Sequence, residues 1–245
     1  MGGKHAVSVD PGEIAQFDAL AARWWDPSGP LRPLHAMNPV RLDFIVNQAC
    51  RRLGRQRRQR RPLDGVRVLD VGCGGGLACE PLARLGAAVT GVDAAANNIA
   101  AARAHAQTMG LDIDYRAEPA EALAGEQFDV VLALEVVEHV ADVPAFLGTL
   151  RQRCADPGLV VLSTLNRTAR SFLTAIVGAE YVVRLLPRGT HDWRKFLTPD
   201  ELAAKLQAAG FAERDRSGMV MALGSGRWHL SADVSVNYLI AADPA

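Results

Sequence analysis

Apolar positions in this chain fall into two patterns, short unbroken runs and helical spacings, and the two alternate from Val66 onward. Val66 to Val71, Ala88 to Val92, Phe128 to Leu134 and Leu159 to Thr164 are rich in β-branched residues and have no polar face. Such runs suit strands buried on both sides of a parallel sheet. Ile113 to Arg116 reads as a shorter strand, and Val234 to Ile240 is a candidate for one of the last strands, which residues 212–245 should supply. Between the runs, Leu77 to Leu85, Asn97 to Met109, Val143 to Arg153 and Pro199 to Ala209 carry helical spacing. Thr198 is placed to cap the last of these and Gly210 to stop it. Strand and helix in alternation predict one α/β domain with a doubly wound, mostly parallel sheet.

The two ends of the chain follow other rules. Residues 1–12 read as a tail, and Glu13 to Trp25 has helical periodicity ended by Asp26-Pro27 and Gly29-Pro30. Trp24 and Trp25 are adjacent and cannot share one helix face; both in the core, or one of them packed elsewhere, remain open. Asn38 and Pro39 suggest the cap and first position of a second helix, with Arg41 in its first turn. Residues 1–62 thus read as an N-terminal helical cap and 165–198 as a helical insertion after the fifth strand. In that insertion, Ala169 to Leu186 is apolar almost all round and flanked by Arg170, Arg184 and Arg188. It is either a lid over the site or a segment lying on a membrane.

Composition narrows the classes further. A chain of 245 residues with 49% hydrophobic positions and zero formal net charge fits a globular enzyme, with no global field to attract nucleic acid. Seven arginines stand between Arg51 and Arg61 without an acid, so the remainder carries −7. A solvated loop is the favoured reading and a patch for anionic lipid heads the other; aromatics that would stack on bases are missing, which argues against RNA. Four cysteines without a C-x-x-C pair imply a reducing compartment and the cytosol. No apolar stretch reaches the length that spans a bilayer.

The candidate chemistry collects at strand ends. Asp70 closes the first run and is followed by Gly72, Gly74, Gly75 and Gly76, giving D-x-G-x-G-x-G. A dinucleotide fingerprint beginning at Gly72 needs glycine at position 77, where Leu77 stands, which weakens a nicotinamide dehydrogenase. An acid here repels pyrophosphate but can hold the ammonium of a methionine moiety. Asp93 closes the second run, where a carboxylate can accept from both ribose hydroxyls, and Glu118 lies beyond the third near the expected adenine pocket. After the fourth come Glu135, Glu138 and His139. If a helix starts there, its spacing puts all three on one face, where they suit Mg²⁺, Mn²⁺ or Zn²⁺. The alternative is a capping carboxylate with His139 as general base and no metal.

The glycine stretch resembles the first motif of S-adenosylmethionine-dependent methyltransferases with a Rossmann-like, seven-stranded sheet. Together RWWD, PLHAMNPVRL, DVGCGGG, EVVEH, STLNR, VGAEY and GTHDWRKF resemble the ubiquinone-biosynthesis O-methyltransferase family, from about Glu13 to Tyr238. The arginine run is longer than that pattern, and Pro157-Gly158-Leu159 stands where P-G-G is common. The resemblance implies methylation of a polyprenyl phenol bearing an adjacent hydroxyl, and later of a demethylubiquinol. Its cofactor positions would be Arg41, Gly72, Asp93 and Leu134. The apolar segment and its arginines predict peripheral association with the inner membrane through an anionic surface met by residues 169–188, and the resemblance implies contact with other ubiquinone-biosynthesis enzymes. Two competing functions share the cofactor site: a methyltransferase for RNA or another small phenol, and a cofactor-binding assembly factor without turnover.

Overall fold

A computed structural model of the chain describes residues 21–172, 193–222 and 224–245. Its sheet has eight strands in the order β3-β2-β1-β4-β5-β8-β6-β7. The first five, β1 (Arg67–Val71), β2 (Ala88–Val92), β3 (Asp114–Arg116), β4 (Phe128–Leu134) and β5 (Cys154–Leu165), pair in parallel. The chain then reverses: β8 (Asn237–Pro244) runs antiparallel to β5 and to β6 (Phe211–Met221), and β7 (Trp228–Ser231) adds an antiparallel edge. That edge hairpin makes the count one more than the expected seven.

Helices cover both faces. On one lie α1 (Arg32–Arg52), α2 (Cys79–Arg84) and α3 (Ala96–Thr108), packed through Phe44, Ile45, Leu82 and Ile99 on Val68, Val130 and Val161. On the other lie α4 (Val143–Arg153) and α5 (Pro199–Ala208), packed through Phe146, Leu150 and Leu202 on Leu69, Val131 and Leu162. Successive residues of each central strand feed opposite cores, which is why those runs lack a polar face. At the start of α5 the Thr198 side chain accepts from the Glu201 N–H while Glu201 reaches back to the Thr198 N–H, a capping box.

Several boundaries differ from those the sequence predicts. α1 begins at Arg32, not at Asn38, because Pro33 in the first turn loses no hydrogen bond there; Asn38 and Pro39 are helix interior. The predicted helix over Glu13–Trp25 falls largely outside the described residues, and Ala21–Arg23 form a single 3-10 turn. α2 is shorter than Leu77–Leu85, since the glycine loop continues as turns through Ala78. β5 is longer than predicted, extending back through Asp156-Pro157-Gly158 to Cys154, and β8 lies further along than Val234–Ile240. All four cysteines are free and buried. Of the apolar stretch 169–186, only Ala169 to Phe172 lie among the described residues, where Thr168 caps a short turn. Among the described residues no helix is long and apolar enough to cross a membrane.

Candidate active site

The candidate residues stand at the carboxyl ends of β1, β2, β4 and β5, with the glycine loop following β1. Gly72 and Cys73 both donate backbone N–H groups to the Val92 carbonyl, fastening the loop to β2. Gly74 and Gly76 have φ of 53° and 86°. A Cβ on Gly76 would stand 2.1 Å from the Tyr115 hydroxyl, and one on Gly74 would stand 2.3 Å from the Trp24 ring. Both conformation and space therefore require glycine at these two positions.

Asp93 organises the loop from the β2 side. Its Oδ2 accepts from the Gly74 N–H at 2.9 Å and its Oδ1 from the Ala95 N–H at 2.8 Å. Backbone donors thus fix the orientation of the carboxylate at the end of β2. Trp24 donates its indole N–H to Asn98 Oδ1 at 2.7 Å, and its ring lies on Gly74 and Gly75. Trp25 turns the other way: it donates to the Gly75 carbonyl at 3.0 Å and stacks on His105 with ring centroids 3.5 Å apart. The adjacent tryptophans thus brace the glycine loop with two different faces.

Arg41 enters from α1, on its buried side, and its guanidinium faces Asp70 and Glu135. Nη2 reaches Asn38 Oδ1 at 3.3 Å, while Nε is buried without a partner. Asn38 in turn donates to the Leu77 carbonyl at 2.7 Å, anchoring the helix to the loop. Burial pushes the Asp70 carboxyl up to about 7, against the pull of the Cys79 thiol, which donates to it at 3.2 Å, and of Arg41. A buried guanidinium with a spare donor beside a half-neutral carboxyl fits a zwitterionic amino-acid group, whose carboxylate and ammonium satisfy one each.

At the end of β4, Leu134 pairs with Ser163 and is partly buried. Glu135 follows with φ of 57°, a left-handed conformation that costs a non-glycine residue about 1–2 kcal/mol. Bonds to β5 hold it there: its N–H donates to the Ser163 carbonyl at 3.0 Å and the Ser163 hydroxyl donates to Oε1 at 2.9 Å. Glu138 is buried, with Oε2 accepting from the Thr164 hydroxyl at 2.8 Å and Oε1 without a partner. Burial first, and then the neighbouring Glu135, hold its pKa well above the usual carboxylate range. His139 is buried beside it.

The expected shared helix face does not form. Val137–His139 is a single 3-10 turn, and Glu135 lies outside it in a left-handed conformation, so α-helical spacing does not apply. Among the described residues no group of three or more His, Cys, Asp or Glu is placed to hold a metal ion. As arranged, Glu135, Glu138 and His139 do not fit a metal centre. Glu118, expected near the adenine, is half-exposed and faces Arg116 at 3.7 Å. Sequence reasoning missed Asn98, Tyr115, Ser163, Thr164 and Asn166. Ser163 and Thr164 place polar residues at the end of an apolar strand, and that was the available signal.

The comparisons with known proteins agree with this geometry. Residues 7–214 match the family model of the methyltransferase domain. The fold is similar to magnesium protoporphyrin IX methyltransferase from Synechocystis PCC 6803 with bound SAH, with TM-score 0.60 and 22% identity over 84% of this chain and 82% of that one. It is also similar to a SAM-dependent methyltransferase from Aquifex aeolicus, with TM-score 0.61 and 14% identity over 96% and 99% of the two chains. Fold and loop are those of a class I S-adenosylmethionine-dependent methyltransferase. Sequence relatives are more specific. The ubiquinone biosynthesis O-methyltransferase of Azorhizobium caulinodans is 55% identical over 98% of this chain and 95% of its own, and that of Dinoroseobacter shibae 56% over 96% of each. The chain belongs to the ubiquinone biosynthesis O-methyltransferase family.

Proposed function

We propose that the protein methylates phenolic hydroxyls of polyprenyl-catechol and demethylubiquinol intermediates, using S-adenosylmethionine. The observation that carries this reading is the full-length likeness, at 50–56% identity, to proteins named for O-methylation in ubiquinone biosynthesis.

S-adenosylmethionine supplies an electrophilic methyl group on a sulfonium centre. Arg41 binds the methionine carboxylate, Asp70 the ammonium, and Asp93 the ribose hydroxyls. Gly72 and Gly74 let the backbone approach the ligand, Leu134 offers apolar surface, and Glu118 borders the adenine. The acceptor phenol, with a pKa near 10, is protonated at neutral pH and needs help to lose its proton. Glu138 is held neutral, so His139 is the acceptor of that proton, and Glu135 steadies the imidazolium that results. A positioned base of this kind supplies roughly 10²–10⁴ in rate, and alignment of oxygen and methyl group much of the remainder.

The polyprenyl substrate bears on location. The apolar stretch 169–186 with its flanking arginines supports docking on an anionic membrane surface, from which a greasy tail enters without crossing water. Peripheral association with the cytoplasmic side of the inner membrane, beside other enzymes of the pathway, follows from that substrate.

Labelled S-adenosylmethionine and a short-chain catechol analogue test the reading. Label should appear in the organic phase, fall about 10²–10⁴-fold in His139→Ala, and persist in excess chelator. Absence of transfer by the wild type would refute O-methylation. Loss on chelation with recovery on adding a divalent ion would instead make Glu135, Glu138 and His139 ligands.

A further inference from the structure

Three of the buried polar atoms without partners belong to α1 and to residues just after β4 and β5: Arg41 Nε, Glu138 Oε1 and Asn166 Oδ1. The first is accounted for by the cofactor carboxylate. The other two lie beyond it, toward the ends of β4 and β5.

Asn166 is held firmly. Its backbone N–H donates to the Val236 carbonyl at 2.9 Å, its carbonyl accepts from the Ser171 hydroxyl, and its Nδ2 donates to the Val234 carbonyl at 2.8 Å. That last bond settles the amide's orientation: a carbonyl partner demands the NH₂ group, so the free atom is the acceptor oxygen. The residue is 5% exposed, and a buried oxygen without a donor is costly unless a ligand supplies one. The β5–β8 ladder continues through the Asn166 N–H, so Asn166 projects to the same sheet face as Thr164, two residues earlier. Thr164 is the residue that holds Glu138. The unpartnered Asn166 oxygen therefore lies on the sheet face where Thr164 holds Glu138, at the end of β5.

We propose that Asn166 accepts a hydrogen bond from the hydroxyl adjacent to the one being methylated, and so selects a 1,2-dihydroxyaryl substrate over a lone phenol. This rests on the O-methyltransferase reading above. The hydroxyl at the Glu138 and His139 end loses its proton and receives the methyl group. The neighbouring hydroxyl keeps its proton, because an amide oxygen cannot remove it, and that fixes which of the two positions reacts.

Methyl transfer to a short-chain catechol, and to the same phenol lacking the second hydroxyl, tests this with labelled S-adenosylmethionine. The wild type should prefer the catechol by about tenfold to a hundredfold in kcat/KM. Asn166→Leu should bring that ratio close to one and yield both monomethyl isomers, with unchanged S-adenosylmethionine affinity by calorimetry. A ratio taken on one preparation is independent of the fraction folded, and Asn166→Ala replaces the leucine variant if that one does not fold. Wild-type preference and isomer ratio in the leucine or alanine variant would overturn the assignment to Asn166. A wild type inactive on both phenols would overturn the O-methyltransferase reading itself.

Discussion

Asp70 shows at the scale of one residue how burial serves binding. Its carboxyl is raised from an ordinary value of 3.8 to about 7, chiefly by burial. The unfolded chain therefore binds fewer protons than the native one between those values, and stability falls as pH rises from about 4 to about 7. An ammonium beside Asp70 would reverse this, because an opposite charge favours the ionised form. Cofactor binding near pH 6.5 should therefore release protons, and affinity should rise with pH until it levels off above about 7. Calorimetry in two buffers of different ionisation enthalpy reads the proton release directly, and Asp70→Asn should abolish it. Equal heats in both buffers would remove Asp70 from the ammonium site. Asp70 and Asp93 stand out in the sequence because a charge at the end of an apolar run is costly to bury without a partner to meet it, whereas Arg41 is a candidate there only through the family resemblance. Asn166 does not stand out, since a polar residue after a strand looks like the start of any loop until its partners are known.

Elements were legible where two independent signals agreed. β2, β4 and α4 match their predicted spans because an unbroken run or a capped helical spacing ends at a glycine, a charged residue or a proline. α1 was misplaced because two prolines compete for its first turn, and local sequence does not rank Pro33 against Pro39. The segment from Ala21 to Leu31 was the least readable, as its fold depends on distant groups. Trp24 and Trp25 find their partners 74 and 50 residues away, at Asn98 and Gly75. This places the RWWD motif as a brace on the cofactor loop. Asn98 links the Trp24 indole to Asp93, which it approaches at 3.5 Å, so whatever binds Asp93 is felt by that ring. S-adenosylhomocysteine should therefore shift the tryptophan emission of the wild type. Trp24→Phe should lose most of the shift, while Trp193→Phe and Trp228→Phe keep it. A full shift in Trp24→Phe would mean that the brace does not sense the cofactor.

At the scale of the whole molecule, two arginine-bearing segments of the sequence compete as the docking surface proposed above. The arginine run 51–61 lies between the end of α1 and the start of β1, at the amino ends of the parallel strands. Arg57 pairs with Asp43, Arg61 with Asp64 at 3.1 Å, and Arg52 donates to the Gly158 carbonyl at 2.9 Å. The apolar stretch 169–186 instead follows β5 at the carboxyl end, where the site is. Its described part ends at Phe172, which is 42% exposed and meets Trp193 edge to face. One bilayer cannot engage both ends of the sheet at once. A polyprenyl substrate must enter at the site, so the carboxyl end is the one that should dock. Flotation with anionic liposomes distinguishes the two. Changing Phe172, Ile176 and Val183 together to serine should abolish flotation, whereas changing Arg55, Arg57, Arg58 and Arg60 to serine should leave it nearly intact. Wild-type flotation should weaken with salt, because the flanking arginines contribute an attraction of about 1 kcal/mol each near such a surface, and that attraction is screened. If the arginine variant stays in solution and the triple-serine variant floats, the bilayer lies at the amino ends of the strands, and the apolar stretch is a lid.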